Sequence, residues 1–518
     1  MSRTIRHIVI VGGGSAGWLT AGVLAAEHGG TTEHGGLAIT LVESPDVPII
    51  GVGEGTWPSM RDTLRRIGVS ETAFLRECDA AFKQGSRFDR WVTGAEGDYY
   101  FHPFTLPHGW GETDLAAAWQ LRHAGVPFAD LASFQPHLCV QGRAPKQATT
   151  PEFAAVANYG YHLDAGKFGA FLRRHCVEKL GVRHVADHVT AVESHVNGDI
   201  AGLRTREHGL LAGDLFVDCT GMQSLLLGRH YGVPLRSQKH VLFNDAALAV
   251  QVPYAREDAP VASQTTATAQ SHGWIWDIGL PTRRGVGHVY SSAHASDEEA
   301  AAALRAYLRA TGCAGDLPEP RKLSFQPGWR ERFWHRNCVA IGLSAGFIEP
   351  LEASALALVE MSAAMLADEM PATRETMEIV AHRFNETFTY RWERVVDFLK
   401  LHYVLSRRDD TDYWRDNRRA ASVPDRLHDL LALWRHRPPS RNDLSRIEEV
   451  FPTASYQYVL YGMGYATEHR MTPRRADELG AADRWFREAA ALTGRMLAAL
   501  PSHRDLLDHV RQHGFSRF

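Results

Sequence analysis

The chain has 518 residues, of which 44% are hydrophobic, so it can bury a large core and form about two to four structural units. Its 56 basic and 60 acidic residues give a net charge of −4 without a polybasic run, which argues against binding to nucleic acid or to an anionic membrane. The six cysteines form no C-x-x-C pair, and no apolar run reaches the roughly 18 residues of a membrane helix. We therefore expect a cytoplasmic protein with reduced thiols, no signal peptide and small-molecule chemistry.

A dinucleotide-binding pattern follows directly after the first predicted strand, residues 8–11. Gly12, Gly14 and Gly17 have the G-x-G-x-x-G spacing, and the apolar run over 19–26 predicts a helix. Such glycines allow a tight turn, a close approach of a pyrophosphate and close helix packing, while the helix N-terminus attracts the phosphates. The alternative is a glycine-rich turn that binds nothing. We expect cofactor contacts from Gly12, Gly14, Ser15, Ala16 and Gly17.

Two further cofactor-binding segments are predicted in the first sixth of the chain. A second strand over 37–42 leads into Glu43, a position from which a carboxylate binds a ribose hydroxyl. A glycine-marked polar insertion accounts for the longer than usual spacing to this acid. A second glycine-rich loop, 51–56, contributes Gly53 and Glu54 as expected cofactor contacts.

The next segment is expected to change from regular to irregular structure. Ser70 predicts the start of a helix that carries apolar residues as far as Phe82, with Lys83 in its last turn. Residues 94–157 are rich in Pro, Gly, His and aromatic side chains. This composition favours an irregular pocket wall over a scaffold.

Helices and strands are predicted through the rest of the chain. The predicted strands are 182–185, 189–192, 200–204, 209–212 and 215–221, the last ending at a glycine turn, then 242–252, 274–280 and 286–291 in a second sheet region. The predicted helices cover 164–180, 298–310, 351–368, 378–405, 425–434 and 475–500. His184 and His188 have i,i+4 spacing off a helix, so their imidazoles do not share a face and we expect no metal site.

Three separate predicted strands each lead to a glycine, namely Gly12, Gly221 and Gly342. Ligands collect outside the C-terminal ends of parallel strands, so one extended cofactor would touch all three, and FAD is long enough to do so. Cys219 and Cys338 lie in the adjoining apolar runs and are expected in the core. The predicted fold is α/β, with a Rossmann-like FAD-binding domain, a second sheet region and a mostly helical C-terminal part.

Several separate motifs point to one family. They are GGGSAGW at 12–18, FKQG at 82–85, HPF at 102–104, WIWDI at 274–278 and EPLEASA at 349–355, with further similarity in FLKLHY at 398–403 and DYW at 412–414. In this order they resemble the flavin-dependent halogenases of the tryptophan halogenase type. The resemblance implies a flavin-monooxygenase-type fold and an enzyme that receives FADH2 from a separate flavin reductase.

The same resemblance implies the reaction. In that family, oxygen and FADH2 give a flavin C4a-hydroperoxide, chloride or bromide attacks its distal oxygen, and the hypohalous acid travels through the protein to an aromatic substrate. Leu343 and Leu356 are then further FAD contacts. Main-chain groups of Ser354 and Ala355 would bind the halide, although Ala355 stands where the family has the more permissive glycine.

Two catalytic residues follow from the resemblance. Lys83 would hold or capture the halogen, because an ammonium offers three donors and a compact charge. Its position alone would also suit a lysine at the C-terminal end of a helix dipole. Glu352 would orient the oxidant or accept the proton lost from the arene, whereas a plain structural role in the first turn of the following helix is also open. Glu349 is the competing carboxylate.

Aromatic residues complete the predicted site. Trp274 and Trp276 would share one face of a strand and, by the resemblance, separate flavin from substrate. By the resemblance, His102 and Phe104 would line the substrate pocket. The alternatives are a pair of core indoles and an ordinary loop anchor.

The C-terminal part carries the substrate argument. Family members that act on free tryptophan hold it with an adjacent Tyr-Tyr pair and a glutamate in the C-terminal part. The C-terminal part of this chain has no adjacent pair, and the nearest match is Tyr456-Gln457-Tyr458 with Tyr461. We therefore expect an indole, a phenol or a larger aromatic. Residues 1–370 are expected to form the FAD-binding halogenase module and 371–518 a helical substrate-side module, as a monomer or homodimer.

Other functions stay open on the sequence. One is an FAD-dependent aromatic hydroxylase or another flavin oxidoreductase, a class that carries a G-D pair where this chain has Gly342 and Leu343. The other is a flavin-binding protein without catalysis.

Overall fold

The computed structural model describes residues 4–30, 35–47, 53–313, 317, 319–446, 448–469 and 473–516. The strands are β1 (His7–Val11), β2 (Ala38–Glu43), β3 (Glu54–Gly55), β4 (Ala81–Lys83), β5 (Gly85–Asp89), β6 (Tyr99–Pro103), β7 (Gly160–Leu163), β8 (Arg183–Ala186), β9 (Val189–Ser194), β10 (Ile200–Thr205), β11 (Leu210–Ala212), β12 (Leu215–Asp218), β13 (Leu235–Ser237), β14 (Ala246–Pro253), β15 (Thr265–Gln270), β16 (Gly273–Gly279), β17 (Arg283–Tyr290), β18 (Arg321–Ser324), β19 (Gly328–Arg330), β20 (Trp334–His335), β21 (Cys338–Ala340) and β22 (Gly346–Phe347).

The helices are α1 (Ser15–His28), α2 (Ser59–Arg66), α3 (Glu71–Glu77), α4 (Leu115–Arg122), α5 (Phe128–Ala132), α6 (Gln135–Val140), α7 (Ala165–Leu180), α8 (Asp297–Ala310), α9 (Ser354–Asp368), α10 (Arg374–Val404), α11 (Asp412–Asn417), α12 (Asp425–Trp434), α13 (Thr453–Gly462), α14 (Pro473–Ala499) and α15 (His503–His513). Among the described residues, no helix is both long and apolar enough to cross a membrane. Part of the predicted polar insertion after Gly30, and residues 51 and 52 of the second glycine-rich loop, lie outside the described residues.

The chain divides into two compact units that interleave along the sequence. The first unit comprises Met1–Ala80, Leu163–Gln238 and Phe325–Trp392, and the second comprises Ala81–His162, Lys239–Ser324 and Glu393–Phe518. The functional division expected at residue 370 is a different kind of boundary and stays a prediction.

A parallel sheet forms the centre of the first unit. Its strand order is β20-β21-β12-β1-β2-β8, and all neighbours are parallel except β20 and β21. Ile8, Val9 and Ile10 are fully buried, as expected for a strand that is covered on both faces. Helix α1 packs against α7 and α9. The predicted Rossmann-like fold is confirmed, and the strands that lead to Gly12, Gly221 and Gly342 are neighbours.

A mostly antiparallel sheet forms the centre of the second unit, in the order β18-β14-β17-β16-β15-β5-β6. Helix α8 packs on β17 and β14, and its apolar side chains, among them Leu304 and Leu308, join a core with Ile275 and Val286. Helix α14 packs on α4, α5 and α6. The predicted second sheet region and the helical C-terminal part are confirmed.

The segment before Lys83 differs from its prediction. Helix α3 begins at the Ser70 cap, whose hydroxyl accepts from the Ala73 N–H, but it ends at Glu77. Asp79 is left-handed (φ 49°), and residues 81–83 form strand β4, which pairs with β7. The helical spacing of Phe82 was therefore misleading, because long-range strand pairing outweighs local periodicity.

Residues 94–157 are also more regular than predicted. They contain β6 and the short helices α4, α5 and α6, each no longer than eight residues. Helix α13 was not predicted either, because nearly all its residues are buried and it has no polar face. Both errors reflect elements that lack an amphipathic period.

A buried carboxyl group in the first unit gives a prediction about stability. Glu360 on α9 accepts hydrogen bonds from Ser59 and Thr63 on α2, at 3.3 and 2.6 Å. Burial raises its pKa to about 8, so folding favours the protonated form and the free energy of unfolding falls as the pH rises from about 4.5 to about 8. We expect Glu360→Gln to remove this pH-dependent loss. The free energy of unfolding of the variant, relative to that of the parent, should therefore rise by on the order of 3 kcal/mol between about pH 5 and about pH 9.

Urea denaturation at both pH values measures the effect. The exposed Glu178→Gln on α7 is the matched control and should show no pH-dependent difference from the parent. An equal response of the two variants would contradict the burial argument.

Candidate active site

The turn between β1 and α1 depends on close backbone approaches. Gly12 has φ 109°, and a Cβ there would lie 2.2 Å from the carbonyl oxygen of Cys219, while a Cβ on Gly17 would lie 1.9 Å from the Gly12 carbonyl oxygen. Helix α1 begins at Ser15 without a side-chain cap or an acidic residue in its first turn, and the space over Gly14 is open. The free N–H groups at this helix start therefore fit a pyrophosphate, as FAD would provide.

Glu43 ends β2 with its carboxylate beside this turn. A Cβ on Gly13 would lie 1.5 Å from Glu43 Oε2, and Glu43 Oε1 lies 2.8 Å from Nε2 of His184. His188 pairs instead with Asp46, at 2.8 Å. Over the described ranges, no three His, Cys, Asp or Glu side chains form a group that could hold a metal ion. His184 is thus a neighbour of the predicted ribose-binding acid.

The remaining predicted cofactor residues also lie in the first unit. Glu54, after Gly53, begins β3, and burial raises its pKa to about 7. Leu343 lies in the turn after β21, where a Cβ on Gly342 would come within 2.7 Å of Ala16 Cβ. Leu356 is buried in α9. The turns after β1 and β21 are therefore in contact at one end of the sheet.

The segment 349–353 forms a strained turn before α9. Glu352 (φ 65°) and Ala353 (φ 55°) are consecutive left-handed residues without being glycine, at a cost of about 1 to 2 kcal/mol each. The Trp57 indole N–H donates to the Glu352 carbonyl, at 2.7 Å. Glu352 and Glu349 are both buried. The alternative position of Glu352 in the first turn of the following helix does not hold, because α9 begins two residues later, at Ser354, and continues through Ala355.

The strain at Ala353 gives a testable stability effect. Ala353→Gly should raise the free energy of unfolding by about 0.5 to 1 kcal/mol, since relief of the left-handed conformation exceeds the added entropy of the unfolded chain. Ala364→Gly, within α9, is the control and should lower it by about 1 kcal/mol. Chemical denaturation measures both, and a destabilised Ala353→Gly would show that the turn is not strained.

Lys83 lies at the end of β4 in the second unit. It is only 1% exposed, it pairs with Gly160 across the strands, and its Nζ lies 5.4 Å from the centre of the Phe104 ring. Because Lys83 ends a strand, the helix dipole does not account for its position. The structure thus brings a buried ammonium and a predicted substrate residue together.

An aromatic cluster surrounds the other predicted substrate residue, His102. Its Nε2 lies 2.8 Å from Ser455 Oγ, and its ring packs near Phe398 and Tyr458. Phe398 stacks on Phe451 with ring centres 3.8 Å apart. The sequence analysis did not assign Ser455 or Phe451, because α13 has no amphipathic pattern that would predict it and neither residue belongs to one of the family motifs.

Trp274 and Trp276 occupy one face of β16, as predicted. Their ring centres lie 6.4 Å apart in an edge-on arrangement. Trp276 pairs with Gly287 across the sheet, and a Cβ on that glycine would lie 2.1 Å from the indole. The Trp276 indole therefore occupies the space that a side chain at position 287 would need.

Comparison with known proteins gives the family. Residues 7–478 match the tryptophan halogenase family. The crystal structure of a tryptophan halogenase from Shewanella frigidimarina is 50% identical with a TM-score of 0.94, over 99% of both chains. BrvH, a flavin-dependent halogenase from Brevundimonas sp. BAL3, is 35% identical with a TM-score of 0.85, over 98% of this chain and 99% of that one. KtzR of Kutzneria sp. strain 744, a 7-chloro-L-tryptophan 6-halogenase, is 33% identical over 97% of this chain and 99% of its own. This chain therefore belongs to the tryptophan halogenase family of flavin-dependent halogenases.

Proposed function

We propose that this enzyme uses FADH2 from a separate reductase, oxygen, and chloride or bromide to halogenate an electron-rich aromatic other than free tryptophan, such as an indole or a phenol. The observation that carries the proposal is the buried Lys83 ammonium over the Phe104 ring, within the FKQG and HPF motifs. We place the reaction in the cytoplasm.

When bound, reduced FAD together with oxygen supplies the oxidising equivalent that converts halide to hypohalous acid. We assign its pyrophosphate to Gly12, Gly14, Ser15, Ala16 and Gly17, and its ribose to Glu43, on the open helix start and the adjacent carboxylate. Gly53, Glu54, Leu343 and Leu356 are assigned further contacts.

We assign to Lys83 the role of polarising hypohalous acid or capturing its halogen. As an ammonium it can donate a hydrogen bond to the oxygen of hypohalous acid and so polarise the oxygen–halogen bond. After proton loss, its amine can attack the halogen. A nitrogen–halogen bond then forms, the oxygen–halogen bond breaks, and the departing hydroxide takes the second proton from nitrogen to give water. Burial keeps bulk water from competing in either case.

We assign to Glu352 the role of accepting the proton that the aromatic ring loses after the halogen adds. A buried carboxylate can act as this general base at the end of electrophilic substitution. The first N–H groups of α9, at Ser354 and Ala355, lack intrahelical acceptors and can bind the halide. His102 and Phe104 would line the aromatic pocket. Trp274 and Trp276 would separate the flavin from the substrate and so prevent direct hydroxylation.

The C-terminal tyrosines support a substrate other than free tryptophan. The Tyr458 hydroxyl donates to the Thr105 carbonyl at 3.0 Å, and the Tyr461 hydroxyl lies 3.2 Å from Thr467 Oγ1. Tyr456 packs its buried ring against Phe398. Since these tyrosines lie in internal contacts, they are poorly suited to hold the carboxylate and amine of an amino acid.

A substrate panel tests the proposal. The enzyme would receive chemically reduced FAD, oxygen and either halide, together with indole, a phenol or free tryptophan, and halogenated products would be quantified by mass spectrometry. We expect higher kcat/KM for the indole or phenol than for free tryptophan. The reverse ranking would overturn the substrate assignment.

A further inference from the structure

The geometry points to His503, the first residue of α15, as a positioning residue that fixes β4 and thereby aims Lys83. This inference deepens the proposed function and rests on the role assigned to Lys83. His503 does not touch the reacting atoms. It acts through the backbone of Phe82, the residue next to Lys83.

Strand β4 has one edge paired and the other edge held by irregular partners. It pairs antiparallel with β7, with Phe82 opposite Tyr161. Its other edge donates the Phe82 N–H to His503 Nε2 at 3.1 Å and the Gln84 N–H to the Ser263 carbonyl at 2.6 Å. His503 and Ser263 therefore hold the strand on either side of Lys83.

The imidazole of His503 offers one hydrogen-bond acceptor and one donor to the backbone, as a peptide group does. Its Nε2 accepts from Phe82, and its Nδ1 lies 3.0 Å from the Val261 carbonyl oxygen. A backbone N–H can only donate and a carbonyl can only accept, so the ring must be neutral with its proton on Nδ1. Burial lowers the pKa of His503 to about 4, which keeps the ring neutral near pH 7.

The imidazole is itself held rigidly. The Ser502 hydroxyl caps α15 by accepting from the Asp505 N–H at 3.1 Å, and the His503 N–H donates to the Gly142 carbonyl at 2.7 Å. His503 is completely buried. Both its backbone and its side chain therefore have fixed partners.

The two faces of β4 explain why its backbone position decides where Lys83 points. Successive side chains of a strand face opposite sides. The Phe82 ring packs in an aromatic group with Tyr159 at 5.0 Å and Phe515 at 6.4 Å, whereas Lys83 Nζ lies over Phe104. A shift or rotation of β4 would therefore move the ammonium directly, and reaction rates are sensitive to displacements of about 1 Å.

Three variants test the inference. His503→Phe keeps a planar ring but leaves the Phe82 N–H and the Val261 carbonyl without partners. His503→Gln offers an amide oxygen and an amide N–H that can replace both hydrogen bonds. His513→Phe, the same substitution at an exposed position of α15, is the matched control.

We expect His503→Phe to lose at least about tenfold in kcat, with the substrate KM and the FAD dissociation constant within roughly twofold of the parent. His503→Gln should recover kcat to within about threefold, and His513→Phe should match the parent. An unchanged kcat in His503→Phe overturns the inference. So does an equal loss in the folded Phe and Gln variants, or a loss accompanied by parallel changes in KM and FAD affinity.

A measurement on the parent protein decides the case if His503→Phe does not fold. Nitrogen-15 NMR of histidine-labelled enzyme, with the His503→Gln spectrum for assignment, reports the tautomer at neutral pH. We expect the Nδ1–H form, and an Nε2–H form or an imidazolium would overturn the inference. The tautomer of His503 is measured without reference to activity. A parent enzyme that halogenates nothing would therefore refute the proposed function and leave the tautomer result unchanged.

Discussion

Lys83→Ala is expected to lower halogenation by at least about a thousandfold in kcat, the scale seen when one preorganised donor or proton-transfer group is removed. The variant loses the group that polarises or captures the halogen, and alanine cannot replace it. Lys83 is almost completely buried, so neither a surface lysine nor a buffer amine has direct access to its position. Product formation with chemically reduced FAD measures the effect directly.

Controls separate this effect from damage to the fold. Lys83→Met keeps the apolar stem of the side chain and should be as inactive as Lys83→Ala, with FAD affinity close to that of the parent. The exposed Lys179→Ala on α7 should retain full activity. Loss of FAD binding in Lys83→Ala, or substantial remaining halogenation, would contradict the role assigned to Lys83.

Glu352→Gln is expected to lower kcat by about a hundredfold or more, because the amide has nearly the same shape but cannot accept the proton from the arene. The Trp57 N–H contact is to the Glu352 carbonyl, so the substitution leaves it in place. Steady-state kinetics with a saturating aromatic substrate measures the loss, which should fall on kcat more than on KM.

Glu349→Gln is the matched comparison, since both glutamates are buried in the same short segment. It should retain more activity than Glu352→Gln. The opposite order, with Glu352→Gln active and Glu349→Gln inactive, would assign the proton to Glu349.

The parallel sheet and the flavin turn could be predicted from the sequence because each depends on local pattern. Short apolar runs mark β1, β12 and β21, and the Gly12 turn follows from its spacing. The meeting of β1, β12 and β21 could be expected because parallel strands present their C-terminal ends at one edge. The family motifs added candidate residues that no local pattern identifies.

Other features depend on contacts between distant segments. Strand β4 was mistaken for the end of a helix, because only its pairing with β7 overrides the helical spacing of Phe82. The left-handed pair at Glu352 and Ala353 has no signal, since neither residue is glycine. The contact of His503 with Phe82 joins residues 421 positions apart, which no single-sequence pattern could reveal.

Transfer of halogen to the aromatic ring distinguishes this enzyme from a flavin hydroxylase, and the identity of the product reports it. The parent enzyme would be given chemically reduced FAD, oxygen, indole and bromide, and the products analysed by mass spectrometry. We expect brominated indole from the parent and none from Lys83→Ala. An oxygenated product that is never brominated would contradict halogen transfer and favour a flavin hydroxylase.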